Sequence, residues 1–529
     1  MDAAISEPLS NEIQEPSAGM LRATSVLALG NVASRVIGLL REMILSALFG
    51  AGAAVDAFNL AIIVPRGLYD LLIGGHVNSA LIPVLSEYAA HEDRRDLWDL
   101  VNALLGLVVV ALAVLILVIE IFAPQIIGIV ASDEATAQVV DKATHLLRVT
   151  APALMFLSLF AVLSGVLYAL RRFTWPAFAS TVFNGMIVLV TLAFHKQIGI
   201  TAAAVGWLVG AAVQLVLQAP GLRDARLRIK LRGAWSHPGV RTIGVLYVPV
   251  MASLALDVLI NRPFSYNLAS STGEGSISYM NWATTLLQFP QGLVAIAISV
   301  AILPTLSRQA GLQPFKDTLG QGLRLSIVLI IPATVGLFVL AHPVVSLLFE
   351  HGEFNSTDTA FTALALRLYL LGLPFAAVDL LLIFAFYARQ NTLIPALVGL
   401  LSLVAYMVVA VVLLPWYSFF ALMVADSVKF VIHTGVSAWL LYRTLKGYGN
   451  QRLISTTVRA ALAATGMGVL IAVLAAGLDH VLPEGFIYEA AIVGTTGSLG
   501  LISYSVLATR LGLSEWQWML KMLRQKIGF

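Results

Sequence analysis

The sequence predicts an all-α polytopic membrane protein of about fourteen transmembrane helices. These form two six-helix lobes related by an internal pseudo-twofold repeat, plus two C-terminal helices. Three observations predict it. Hydrophobic residues make up 59% of the 529 residues and charged residues only 12%, with a mean hydropathy of +0.89, more apolar surface than a water-soluble domain can bury. The apolar runs are continuous over about 20 residues rather than alternating, which selects helices over a barrel. Short motifs of the first half also recur, in order, in the second.

In chain order, residues 1–19 hold Asp2, Glu7, Glu12 and Glu15, two prolines and no Lys or Arg. This is not the basic start of a cleavable signal peptide and reads as a disordered cytoplasmic tail. Residues 20–220 form the N-lobe, with spans near 21–48, 54–82, 98–121, 139–170, 175–195 and 199–220. Residues 221–239 are a basic cytoplasmic loop, and residues 240–446 the C-lobe, with spans near 240–265, 277–303, 320–349, 359–387, 392–414 and 417–443. The last two spans, near 455–478 and 486–509, fall in residues 447–512. In the 513–529 tail, Trp516, Leu520, Leu523 and Ile527 share one helical face beside Lys521, Arg524 and Lys526, the pattern of an interfacial amphipathic helix on the cytoplasmic side.

The loops set the orientation. With the N-terminus inside, the inside loops hold Arg94 and Arg95, Arg171 and Arg172, the cluster Arg223, Arg226, Arg228, Lys230 and Arg232, then Arg308, Lys316, Arg389, Arg443, Lys446 and Arg452. The outside loops hold chiefly Lys142, Lys196 and Arg262, so both termini are expected in the cytoplasm. The 223–232 cluster reads as a topology signal that touches anionic headgroups, and no nucleic-acid partner is expected. With no cysteine there is neither a disulfide nor a thiolate metal site.

The repeat carries the transporter reading. Pro65-Arg-Gly-Leu68 reappears as Pro290-Gln-Gly-Leu293, and Ala80-Leu-Ile-Pro-Val-Leu-Ser86 as Ala301-Ile-Leu-Pro-Thr-Leu-Ser307. Tyr168, Pro176 and Arg148 are matched by Tyr387, Pro395 and Arg367, all three at one common offset. Because six is even, both halves enter from the same side, and a cavity between two parallel lobes suits alternating access. Pro65, Pro152, Pro290 and Pro374 read as kinks that permit the lobes to rock.

Ionisable residues inside spans mark substrate or ion pathways. Arg35 and Arg41 lie about 9 Å apart along the first helix and about 120° around it. Arg66 follows Pro65 in span two, and Asp56 opens that span. Asp257 lies in span seven, Asp379 in span ten, and Asp426, Lys429 and His433 at three- and four-residue spacing in span twelve. For Asp426 and Lys429 a structural ion pair and a functional one both stay open. His76, His145 and His433 fall on separate spans without ligand spacing, so no metal site is expected, and no catalytic constellation of an enzyme appears.

Ser34-Arg35, Gly38, Arg41-Glu42, Phe49-Gly-Ala-Gly52, Asp56-Ala-Phe58, Pro65 and Ile82-Pro83 resemble the N-terminal signature of the MurJ (MviN) family. Leu146-Leu-Arg-Val-Thr-Ala-Pro152, His351-Gly-Glu-Phe354 and Phe386-Tyr-Ala-Arg-Gln390 resemble later segments of it, so that the similarity runs in order over residues 20–446. The resemblance implies the multidrug/oligosaccharidyl-lipid/polysaccharide exporter fold, with a lateral portal, a central cationic cavity and a groove along the last two spans for a lipid tail. It implies flipping of lipid II from the inner to the outer leaflet of a bacterial plasma (inner) membrane, in the service of peptidoglycan biosynthesis. Arg35, Arg41 and Arg66 would then grip the diphosphate, which arginine's fork of donors suits, and Asp56 would orient or neutralise one of them. Membrane lipids and cell-wall synthesis proteins are the other partners it suggests.

This chain departs from the family pattern in two places. Where the family carries Asn, an arginine pair and Glu-Gly in span two, it has Arg66, Tyr69-Asp70 and Gly74-Gly75. Where span eight carries an arginine and a glutamate, it has Thr285 and Gln288. No P-loop is present, so no nucleotide cofactor is expected, and the membrane potential or a sodium (Na+) or proton (H+) gradient is left to drive transport. Asp257 matches an acidic family position linked to sodium or proton binding, with Asp379 and Asn391 as partner candidates. Four readings stay open: a lipid II flippase, a flippase for another undecaprenyl-linked glycan, a drug or cation exporter of the same superfold, and a non-transporting cell-wall scaffold. Arginines in the cavity argue against the exporter.

Overall fold

The computed structural model describes residues 18–72, 77–90, 94–225, 227–228, 237–309, 311–449, 451–479 and 485–527. Most of the tail assigned to residues 1–19, the pair Gly74-Gly75, His76, and Arg226, Lys230 and Arg232 lie outside the described residues. What is described is helical throughout, without a strand.

The first half runs through α1 (Ala18–Phe49), α2 (Ala53–Leu72), α3 (Val77–Ala89), α4 (Arg95–Val130), α5 (Ala137–Thr150), α6 (Ala153–Ala169), α7 (Thr174–Ile198) and α8 (Thr201–Val216). The second half begins with α9 (Pro238–Leu256), which passes through a π-helical stretch, Asp257–Asn261, into α10 (Arg262–Ser270). Next, α11 (Ser276–Pro290) runs through a second π stretch, Gln291–Ile296, into α12 (Ala297–Arg308). Then come α13 (Leu312–Val339), α14 (Ala341–Phe349), α15 (Ser356–Leu370), α16 (Leu373–Ala388), α17 (Leu393–Tyr417) and α18 (Phe420–Thr444). Beyond the halves lie α19 (Leu453–Asp479), α20 (Phe486–Ala491), a third π stretch (Ile492–Thr496), α21 (Gly497–Arg510) and α22 (Ser514–Ile527).

Among the described residues nine helices are long and apolar enough to cross a membrane, or eleven if each bent pair counts as one span. Length and composition alone therefore do not deliver the expected fourteen. Several expected spans are broken, as where residues 54–82 divide between α2 and α3, and polar residues dilute others, as Asn31, Arg35, Arg41 and Glu42 do in α1. Apolar side chains that face outward, such as Val114, Leu117 and Ile121 on α4, have hydrocarbon rather than a protein core to bury them.

The repeat is visible in three dimensions. Helices α7 and α17 are both 25 residues long, and their first residues, Thr174 and Leu393, stand at the same offset as the matched Tyr168 and Tyr387. Each is preceded by a non-glycine residue with positive φ, Arg171 and Gln390 (both 58°), and followed by another positive-φ residue, Gly199 (58°) and Ser418 (53°). The α5–α6 and α15–α16 pairs bend by 41° and 42°, the first at Pro152 and the second beside Pro374. A proline at each break removes a backbone donor and crowds the preceding turn. At each bend the matched arginine donates to a carbonyl of the preceding long helix, Arg148 to Glu120 at 3.3 Å and Arg367 to Phe338 at 3.2 Å.

One expectation changes, and another gains its contacts. Arg262 is not a loop residue: the seventh span continues through its π stretch, so Arg262 stands inside a helix and pairs with carboxylates. The tail helix α22 docks on the protein. Trp516 is buried, packs edge-on against Tyr504 at 5.0 Å and donates through Nε1 to Ser505 Oγ at 3.1 Å, while Glu515 pairs with Arg324 of α13. The side chains of Leu523 and Ile527 lie outside the described residues.

Candidate functional site

Arg35, Asp70 and Arg262 meet the facing half of the molecule. The 120° between Arg35 and Arg41, about a third of a turn, decides what each one meets. Arg35 points to the second half, where its Nη1 lies 3.5 Å from the Gln288 carbonyl and its guanidinium rests on Gly292 at the π stretch after α11. A Cβ at Gly292 would stand 2.5 Å from Nη2, so a side chain there would push the guanidinium aside. Arg41 points into its own half, donating to Asn184 Oδ1 of α7 at 2.8 Å and pairing with Glu42. Its Nε is buried without a hydrogen-bond partner among the described residues, a donor left free in a place where that is costly.

Arg66 is exposed on α2, one turn before Asp70. Asp70 binds Arg262 Nη1 at 2.8 Å, and Arg262 Nε binds Asp257 at 2.9 Å, so one guanidinium ties α2 to the span-seven break. Asn261 donates to the other oxygen of Asp257 at 2.8 Å. Tyr266 of α10 donates to Asn281 of α11 at 2.8 Å, within electrostatic reach of Glu42, Arg66 and Arg262. Around this seam the arginines outnumber the carboxylates.

Asp56 takes another place. It is 4% exposed and accepts from Gly275 N (2.6 Å), Ser278 N (2.9 Å) and Ser278 Oγ (2.6 Å), capping the N-terminus of α11 across the halves. The free N–H groups and positive pole of a helix N-terminus suit a carboxylate there. Beside it, two motifs of the sequence signature meet. Gly352 (φ +61°), in His351-Gly-Glu-Phe354, packs where a Cβ would come within 2.2 Å of the Ala47 carbonyl, and Glu353 N donates to that same oxygen at 2.9 Å. Gly50 (φ +59°), in Phe49-Gly-Ala-Gly52, packs where a Cβ would stand 2.7 Å from the Glu353 carbonyl oxygen. These contacts join the two halves at the end where α1 passes into α2.

The three coupling-ion candidates do not share a site. Asp257 is held by Arg262 and Asn261. Asn391 caps α17, its Oδ1 accepting from Ile394 N at 3.1 Å. Asp379, 5% exposed on α16, meets His433 Nδ1 of α18 at 2.5 Å. Sequence reading misses that partner because the two stand on different helices and only helix packing joins them. Asp426 and Lys429 form the ion pair their spacing allows, and the Lys429 ammonium also stands 5.5 Å from the Tyr406 ring and 4.6 Å from that of Phe430. Among the described residues no group of three or more His, Asp or Glu is placed to hold a metal ion.

The family model described as lipid II flippase MurJ matches residues 45–493. A probable lipid II flippase MurJ of Vibrio cholerae is 30% identical over 521 residues, covering 93% of this chain and 96% of that protein. The lipid II flippase MurJ of Burkholderia cenocepacia is 32% identical over 381 residues, 69% of this chain and 73% of that one. In fold the chain is similar to a lipid II flippase MurJ in an inward closed conformation, with a TM-score of 0.77 at 22% identity over 92% of this chain and 99% of that one. It is also similar to an inward-facing multidrug resistance MATE family transporter of the MOP superfamily, with a TM-score of 0.60 at 14% identity over 80% of this chain and 98% of that one. With a family model spanning most of its length and relatives matched almost end to end, this multi-pass membrane chain belongs to the lipid II flippase MurJ family.

Proposed function

We propose that the chain is a lipid II flippase that carries the diphosphate-linked headgroup across a bacterial plasma membrane between its two halves, while the polyprenyl tail stays in lipid. Both termini are then cytoplasmic, and the tail follows the surface of α19 and α21. The observation that carries the reading is the arginine set at the seam. Arg35 reaches the facing half, Arg66 is exposed, and Arg41 holds a buried Nε donor without an acceptor among the described residues. A diphosphate supplies oxygens in the planar pattern a guanidinium fork accepts. A drug-cation exporter would want the opposite sign at this place.

Access alternates as the seam opens at one end and closes at the other. The Asp56 cap and the Gly50–Gly352 contacts tie the halves together at the outer end in the state described. The energy comes from the membrane potential or from an ion gradient, with no nucleotide. A flippase for a related undecaprenyl-linked glycan is the second reading. It is favoured by Asp70 and Thr285 at places where the family carries cations: Asp70 is tied to Arg262 and Thr285 is bonded to the Asn281 carbonyl at 2.9 Å.

Complementation of cells depleted of their lipid II flippase tests both, with protein levels in the membrane checked. Rescue by the chain, and loss of rescue with a well-expressed Arg35→Ala or Arg41→Ala, supports the first reading. A well-expressed wild type that fails to rescue overturns it in favour of the second.

A further inference from the structure

The Asp379–His433 pair is unlike the other charges in the molecule. It is buried near the middle of two long helices, away from the seam, and the diphosphate grip does not use it. A lone carboxylate at that depth is expensive, and the His433 imidazole is the polar partner that compensates it. Ser437 Oγ lies 3.4 Å from the same ring nitrogen, and Gly399 of α17 faces the Nε2 side, where a Cβ would stand in van der Waals contact at 3.8 Å.

The surroundings favour a site that can change its charge. Of the charged groups on the helices packed around the pair, the ammonium of Lys429, one turn along α18, acts on Asp379, and it is itself tied to Asp426. The others are engaged elsewhere. Asp358 and Arg367 of α15 are bound to Tyr279 and to the Phe338 carbonyl. From α13, Arg324 and Asp317 are bound to Glu515 and Gln451, while Lys316 sits near the opposite end of that helix, and α12 offers only its terminal Arg308. From α17 the titratable group on this side is Tyr406, which stacks on Lys429 and shares a 2.7 Å hydrogen bond with Ser265 of α10. Ser265 lies one turn beyond Arg262, which spans to Asp70 of the first half.

We propose that Asp379 and His433 form the proton-coupling site of this chain. In the resting state one proton lies between Nδ1 and Oδ1 and the pair is neutral; a second proton, entering from one side of the membrane, adds to the free carboxylate oxygen of Asp379, so the site gains one positive charge beside Lys429. Repulsion within this cluster weakens the α16–α18 link and the Lys429–Tyr406–Ser265 contacts that seat α10. That biases the Arg262–Asp70 bridge between the halves. Loss of the proton to the other side restores the neutral pair. The inference deepens the flippase reading and rests on it for what the proton drives.

Because the chain has no cysteine, two introduced at Arg171 and Arg308, both exposed and one in each half, report the distance between the halves by spin labelling of the full chain in sodium-free proteoliposomes. Between about pH 5 and about pH 8 the ratio of the two distance populations should change about tenfold. Asp379→Asn and His433→Gln should each abolish the change. The same liposomes, loaded with fluorescent lipid II and a trapped pH indicator, report translocation separately. A pH-insensitive distance in the wild type, or a response kept by both variants, overturns the proton site even where lipid II is flipped. A pH-responsive distance lost in both variants supports the site, and absence of lipid II translocation in those same liposomes would sink only the flippase reading.

Discussion

The two halves of the chain share a backbone plan and differ in what they do with charge. The helices, bends and positive-φ turns from α5 to α8 return, in the same order, from α15 to α18. Yet Arg35 of α1 reaches the facing half and Arg66 of α2 is exposed, whereas in the second half Asp379 closes on His433 and Asp426 on Lys429. A guanidinium with spare donors is a binding group. An internally compensated pair changes state by taking up or losing a proton. One fold, used twice, thus separates the grip on an anionic substrate from the element that can be driven.

The largest expected effect tests that division directly. Arg35→Ala and Arg41→Ala should each weaken binding of a polyprenyl-diphosphate glycan by about 10- to 100-fold, the worth of a charge-assisted bond of about 1.5–3 kcal/mol. Lys429→Ala removes a charge of the same sign from the other half and should change that binding by less than about twofold, because its partner is Asp426. Titration of the purified protein with lipid II, read by intrinsic fluorescence, decides it. Equal losses in all three variants would erase the distinction between the halves.

Next in size is the pair of carboxylates that cap helices on either side. Asp56 caps α11 from the opposite half, while Asp358 closes a capping box with Asn355 on α15 and accepts from Tyr279 inside its own half. Alanine at either place leaves buried donors unpaired, a cost of about 1–3 kcal/mol. For Asp56→Ala the cost falls on the outer closure, so a spin-label distance between Asp133→Cys and Ser356→Cys should lengthen in a larger share of molecules. For Asp358→Ala the melting temperature should fall and that distance stay put. If both variants move the distance alike, the cap at Asp56 is not what holds the outer end shut.

How much of this is legible in the sequence follows the range of the interaction. The helices, the repeat and Arg41 beside Glu42 depend on neighbours along the chain or on matching motifs, and composition and spacing reveal them. The angle between Arg35 and Arg41 is also readable, and it places them against different partners. Asp56 reads as a counter-ion to arginine because both lie in early spans, but its true partners, Gly275 and Ser278, belong to the other half of the chain. Asp379 and His433 sit on different helices with no fixed spacing, so periodicity is blind to them. Arg262 reads as a loop residue because a charge after an apolar run resembles a helix end. The π stretch at Asp257–Asn261, which carries the helix past it, leaves no clear mark in the residue types.

The smallest effect is the sharpest check on the repeat itself. Arg148 and Arg367 are equivalent in sequence, at equivalent bends, and each gives one Nε bond to a carbonyl of the preceding long helix. Both bonds are exposed, so either alanine variant should cost no more than about 1 kcal/mol and lower the apparent melting temperature by no more than about 2 °C. Arg367 should lose slightly more, because its guanidinium also stands 6.0 Å from the Phe338 ring, where Arg148 faces the backbone of Glu120. Thermal unfolding of the two variants side by side measures it. Near-equal small losses mean the two bends are mechanically equivalent and the asymmetry of the molecule lies in its buried charges alone. A large loss at one bend would mean that one half has come to depend on its hinge in a way the other has not.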